Sequence, residues 1–188
     1  MDRFEKDFVY FRTKCENLTN LVATFRTLYE SGDATRRILK NTAREFFVDL
    51  NGWLNEVFHL HVGRLTDPAS MNGRSNLSVS YVLDQLSRHN LSSDLARSLG
   101  EEINCFGRVI KPGRHKRIAH TDLEATRDPN SLGKMTKEQL NNFIANVNGF
   151  TDEVGTLIGI GPLDYGSSSW PGDATDLLST LVREGRLK

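Results

Sequence analysis

Side chains able to do chemistry crowd together in one stretch of this 188-residue chain, Arg114-His115-Lys116-Arg117-Ile118-Ala119-His120-Thr121-Asp122. Arg114, His115, Lys116 and Arg117 are fixed or titratable cations, and Arg108 and Lys111 extend the basic patch upstream. Such a patch holds phosphates by charge and by the directional donors of arginine. His120 is the side chain in the segment whose unperturbed pKa suits proton transfer near neutrality, and Asp122 supplies a nearby carboxylate. A solvated helix start is the plain alternative for any basic cluster, and at this point both readings stand.

Helix geometry limits which of these residues can act together. Positions three and four apart share a face, so Lys116 and Arg117 align with His120, whereas Arg114, six before it, does not. Arg114 and His120 meet under one of three conditions. The backbone after Gly113 departs from a regular helix, or Arg114 reaches round, or a two-fold axis brings segments from two subunits together.

Other constellations are weaker. His59 and His61 stand two apart on a helix and point to different faces, a poor pair for one metal, so structural roles are expected of them. His115, His120 and Asp122 have metal-ligating side chains, but the Arg and Lys around them repel a cation, and no metal or other cofactor is expected. Arg64 and Asp67, near a helix C-terminus, fit ordinary capping and ion-pair roles as well as support for the basic segment. No glycine-rich phosphate loop, Ser/His/Asp arrangement or zinc-type cysteine spacing occurs.

Helices must position this segment. Phe4, Phe8, Phe11, Cys15, Leu18, Val22, Phe25 and Tyr29 alternate steps of four and three, a heptad-like seam. Leu39, Ala43, Phe46, Leu50, Trp53, Val57 and Leu60 repeat it after a break at Ser31-Gly32-Asp33, where Asp33 is expected to cap the new helix antiparallel to the first. A supplementary stripe of Phe47, Leu54, Phe58 and Leu65 gives this second helix a further neighbour. Thr66-Asp67-Pro68 ends it, and Met71-Asn72-Gly73-Arg74 is a turn. Val79, Val82, Leu83 and Leu86 mark a short helix, and Leu95, Leu99, Ile103, Phe106 and Ile110 the next, which Pro112-Gly113 is expected to stop or bend before the basic segment. After a loop over Ala125 to Lys134, Thr136 and Gln139 form a capping box for a helix carrying Leu140, Phe143, Val147, Phe150, Val154 and Leu157. Gly161 to Gly172 reads as a loop with Tyr165 and Trp170 packed on the bundle, and Asp173 caps a terminal helix through about Glu184.

The expected fold is therefore all-α, an up-and-down bundle of about five to six helices with no strand-like alternation. Residues 1–188 read as one domain, 161–188 being a loop and C-terminal helix packed on it. Lys+Arg and Asp+Glu are equal at 24 each, so any contact with a polyanion must use a local patch. Cys15 and Cys105 both fall in apolar helical patterns and are expected to be buried, which fits a reducing cytoplasm. No apolar run has signal-peptide or membrane-spanning length, and no membrane association is expected.

Arg114 and His120, with five residues between them, match the R-x(4 to 6)-H motif of HEPN-domain proteins, which are helical bundles. The wider set, Arg64-Leu65-Thr66-Asp67-Pro68, Ser75-Asn76-Leu77-Ser78 and Arg114 to Asp122, resembles the abortive-infection AbiU-type branch of that family, from the second helix onward. The resemblance implies an RNA-cleaving homodimer of toxin or phage-defence type, with a composite site from both subunits that cuts RNA without a metal. In that reading His120 is general base or acid and Arg114 stabilises charge on the phosphorane. His115, Lys116, Arg117 and Lys111 would bind substrate, with Asp122, Arg64 and Asp67 in support, and an antitoxin or regulatory protein is a further expected kind of partner. Many relatives have Asn after the Arg; here His115 introduces a second titratable group, so the proton-transfer role can be shared or exchanged. The family also has non-catalytic members, and the alternative is a helical module that binds RNA, a nucleotide or a protein through the same patch.

Overall fold

The computed structural model describes residues 2–114, 135–163 and 171–185. The segment His115 to Asp122, the loop expected over Ala125 to Lys134, and the packing expected of Tyr165 and Trp170 lie outside the described residues. Along the chain run α1 (Asp2–Tyr29), α2 (Asp33–Leu65), β1 (Ser70–Met71), β2 (Arg74–Ser75), α3 (Val79–Arg88), α4 (Asp94–Arg114), α5 (Lys137–Leu157) and α6 (Ala174–Gly185). The fold is all-α, a helical bundle, as the periodicity predicts. It groups into two compact units, one of Met1–Glu16 and His59–Leu163, the other of Asn17–Phe58 and Asp164–Lys188.

In the first unit the aromatic steps of α1 do what their spacing requires. Phe4, Phe8, Phe11 and Cys15 are all buried, and Phe11 meets Phe150 of α5 edge-on at 5.9 Å between centroids. Each buried phenylalanine contributes about 1.5–3 kcal/mol of transfer free energy. Polar ties fix the neighbouring helices: the Tyr81 hydroxyl of α3 donates to Asp7 Oδ2 at 2.6 Å, and Ser93 Oγ accepts from the Ala96 amide while donating to Glu153 Oε1 at 2.6 Å. At the start of α5 the expected capping box is present, with Gln139 N donating to Thr136 Oγ1 at 3.1 Å and Thr136 N to Gln139 Oε1 at 2.9 Å.

The buried face of α4 keeps Ile103 and Ile110 of the expected set, with Leu99 and Phe106 half-buried, but is shifted at its start. Leu95 is 55% exposed, and the inward positions include Ala96, Gly100, Ile103, Gly107 and Ile110. Small residues stand on this face between the large ones, and they let helices approach. A Cβ on Gly100 would stand 2.9 Å from Leu83 Cδ1, and one on Gly107 would stand within 2.6 Å of the Cβ, Oγ1 and Cγ2 of Thr66. Cys105 falls outside this face and is exposed, contrary to expectation, whereas Cys15 is buried and desolvation pushes its thiol pKa far up. Nor does Pro112-Gly113 stop α4 ahead of Arg114, since the helix continues to Arg114. Proline keeps a helical φ but removes one donor, the bond to the Arg108 carbonyl.

The turn at Met71 to Arg74 is a small antiparallel hairpin, pairing Ser70 with Ser75 and Met71 with Arg74. Asn72 and Gly73 both have positive φ, 52° and 75°, the conformation that an Asn-Gly pair adopts in a two-residue hairpin turn. Strand alternation has no room to show in strands of two residues each.

In the second unit Leu28, Leu39 and Phe47 form a buried cluster, with Tyr29, Leu50, Leu178 and Leu181 packed against it. Asp173 caps α6 as expected, its Oδ1 accepting from the amides of Thr175 and Asp176. Asp33 is the first residue of α2 rather than its cap, and its carboxylate accepts from Arg36 at 2.9 Å.

Beyond Leu39 the expected seam of α2 holds only in part, Leu50 packing on the cluster while Phe46 and Trp53 are exposed. Ala43 has non-helical angles (φ −156°, ψ 73°), a kink within α2. Phe47 and Phe58 of the supplementary stripe are each 6% exposed, while Phe46 and Trp53 of the expected seam are each 53% exposed. No proline or glycine marks the break. Thr42, the residue before it, turns its hydroxyl back on the Ile38 carbonyl at 2.8 Å, a bond that bends helices. Among the described residues no helix is long and apolar enough to cross a membrane.

Two glycine substitutions separate close packing from helix propensity. Gly107→Ala should lose about 1–3 kcal/mol of stability by overpacking against Thr66. Gly52→Ala, where a Cβ meets nothing within 4 Å, should gain about 0.5–1 kcal/mol, both read from urea unfolding.

Candidate functional site

The contact between Gly107 and Thr66 brings the last turns of α4 against the end of α2, and a cleft of about 250 Å³ opens beside it. Asn104, Gly107, Arg108 and Lys111 line the cleft from α4. Their spacing of three, four and seven places them on one helix face. His59, Val62 and Gly63 line it from α2, Thr66, Asp67 and Pro68 follow, and Ser80 comes from α3. Val62 and Ile110 are buried and make the apolar part, while Arg108 and Lys111 are exposed at the mouth.

Both helix ends shape the electrostatics. The C-terminal turns of α4 carry the negative end of the helix dipole, which favours Arg108 and Lys111 there. At the end of α2, Thr66 satisfies an otherwise orphaned carbonyl twice, its amide and its hydroxyl both donating to Val62 O, at 3.1 and 2.9 Å. The end of α2 is thereby tied down one residue before Asp67. Asn104 Oδ1 is buried with no hydrogen-bond partner among the described residues, an acceptor left unused beside the cleft.

A second cleft of about 270 Å³ shares Asp67 with the first and is lined also by Lys14, His61, Arg64, Leu65, Ser75, Asn76 and Leu77. Burial lowers the His61 pKa, and the charges of Arg64 and Lys14 lower it further, so the imidazole is held neutral among cations. The chemistry open to these walls is recognition of an anion by Arg and Lys, with neutral hydrogen-bonding groups and one carboxylate to orient it.

Of the residues singled out in the sequence, Lys111 and Asp67 line the first cleft together, and Arg64 joins Asp67 in the second. Arg114 is the last residue of α4, three beyond Lys111. His115, Lys116, Arg117, His120 and Asp122 lie outside the described residues. His59 and His61 do occupy different faces, and each lines a different cleft. Asn104 and Ser80 went unnoticed in the sequence, where Thr66 figured only as a helix end and in the family-like stretch. The spacing of Asn104 four before Arg108 and seven before Lys111 was the one signal that could have found it.

A family model described as AbiU2, of the HEPN type, matches residues 1–173. No curated protein and no solved structure matches the chain.

Because the His61 pKa in the folded chain lies below its ordinary 6.5, the unfolded chain binds that proton first as the pH falls. The stability associated with neutral His61 is full above the ordinary value and is lost as pH falls from it toward the folded value. His61→Gln should therefore flatten the decline of the unfolding midpoint between about pH 7.5 and 5.5; a decline as steep as in the parent would contradict this assignment.

Proposed function

The chain belongs to the AbiU2 family of HEPN domains, and on that footing we propose that it is a metal-independent endoribonuclease of toxin or phage-defence type, active as a homodimer in the cytoplasm. The observation that carries the reading is the family match combined with the position of Arg114, which closes α4 three residues after the cleft cation Lys111. Arg108 and Lys111 give an RNA backbone fixed positive charge on the approach to Arg114.

In the proposed reaction His120 takes the proton of a ribose 2′-OH, and the oxygen attacks the adjacent phosphorus. Arg114 stabilises the charge of the phosphorane. The bond to the 5′ oxygen breaks, and that oxygen receives a proton from a second imidazole, His120 of the other copy or His115. The products are a 2′,3′-cyclic phosphate and a free 5′ hydroxyl. Arg114 and His120 are six apart and do not share the face of a regular helix, which supports a site completed by a second copy. Lys116 and Arg117 bind substrate, and Asp122, Arg64 and Asp67 support the cationic groups. The same cations disfavour a metal ion at His115, His120 and Asp122. A toxic activity of this type is commonly held in check, so an antitoxin or regulatory protein is the further partner we propose.

Incubation of the purified protein with RNA in excess chelator should yield fragments ending in cyclic phosphate. Arg114→Ala and His120→Ala should each reduce the rate by at least about a hundredfold. Lys111→Ala should weaken RNA binding uniformly and lower the salt slope by about one. Salt-sensitive binding without turnover would instead make the protein the non-catalytic module.

A further inference from the structure

A groove in the second unit takes no part in the ribonuclease reading. It measures about 340 Å³ and follows the first part of α2. Its floor is apolar: Leu28, Leu39 and Phe47 are buried there, beside the ring of Tyr29. The Tyr29 hydroxyl already donates to the Phe47 carbonyl at 2.7 Å, so this floor offers a ligand chiefly carbon.

The rim has the opposite character. Arg36, Lys40 and Arg44 line it in four-residue steps, and all three are exposed. Arg36 pairs with Asp33 at 2.9 Å and Arg44 with Glu45 at 3.7 Å, both exposed ion pairs of the kind that yield easily to a competing anion. Lys40, between them, has no acidic partner among the described residues. The break at Ala43 joins the two features, because it turns Phe47 inward while Arg44 stays at the mouth.

We propose that this groove binds an amphiphilic organic anion, with a single apolar chain or small ring system on Leu28, Leu39 and Phe47 and a carboxylate or phosphate head at Lys40. Bare phosphate would leave the apolar floor wet, and a neutral hydrophobe would leave the cations unmatched. Single-stranded polynucleotides gain much of their affinity by stacking bases on exposed aromatic faces, and Phe47 on this floor is only 6% exposed. The groove's volume limits the ligand to a small molecule.

Calorimetric titration of the full chain with decyl phosphate, below its aggregation threshold, should give saturable binding. Inorganic phosphate and uncharged octyl glucoside should bind at least about tenfold more weakly, and Lys40→Glu should weaken decyl phosphate by a similar factor. Val48→Glu, an exposed groove residue, provides a second variant, and circular dichroism checks that both variants fold. Binding unchanged in both folded variants, or equal binding of octyl glucoside and decyl phosphate, would overturn the proposal. Capture on phosphatidylglycerol vesicles that Lys40→Glu abolishes would identify a lipid headgroup as the source of the anion, and decyl phosphate binding without vesicle capture a free ligand.

Discussion

Gly107 leaves α4 without a side chain where it meets Thr66 at the end of α2, and the first cleft depends on that omission. Close packing admits few alternatives, so the missing Cβ sets how near Arg108 and Lys111 stand to His59 and Asp67. Thr66 is fixed from its own side by two bonds to one carbonyl, which makes the contact a stop rather than a cushion. The position of the cationic side chains is thus decided by a steric contact between two small residues. Electrostatics acts only after that contact is made.

The equal numbers of acidic and basic residues conceal a local sorting of charge. Asp67 serves two clefts, with Arg108 and Lys111 in one and Lys14 and Arg64 in the other. One carboxylate among four cations leaves both walls positive, and the zero net charge of the chain says nothing of either. The lowered pKa of His61 follows from the same sorting, because protonation would add a further positive charge where burial already opposes it.

Legibility in the sequence followed side-chain size. The large residues of α1 and α5 announced their buried faces, and the capping groups Thr136, Gln139 and Asp173 announced their helix ends. On α4 Ile103 and Ile110 were legible, whereas Ala96, Gly100 and Gly107 share the same face and their low hydrophobicity hides their burial. On α2 the pattern was present twice, and only the backbone break at Ala43 decides which stripe turns inward. Thr42, next to that break, makes a side-chain bond to the Ile38 carbonyl that periodicity does not register. At the clefts, Lys111, Arg64 and Asp67 were legible as charges, whereas Asn104 and Ser80 belong to the clefts only through the crossing of helices distant in sequence.

The two cysteines also end in different surroundings, Cys15 sealed in the first unit and Cys105 exposed on α4, nine residues before Arg114. Thiol reagents act on the accessible sulfur, so the native chain carries a single natural attachment point for a reporter group among its described residues. A spin label or fluorophore there would sit on the same helix as Arg114 without any engineered residue. In an assembly of two copies the pair of labels would form a molecular ruler between the two α4 helices.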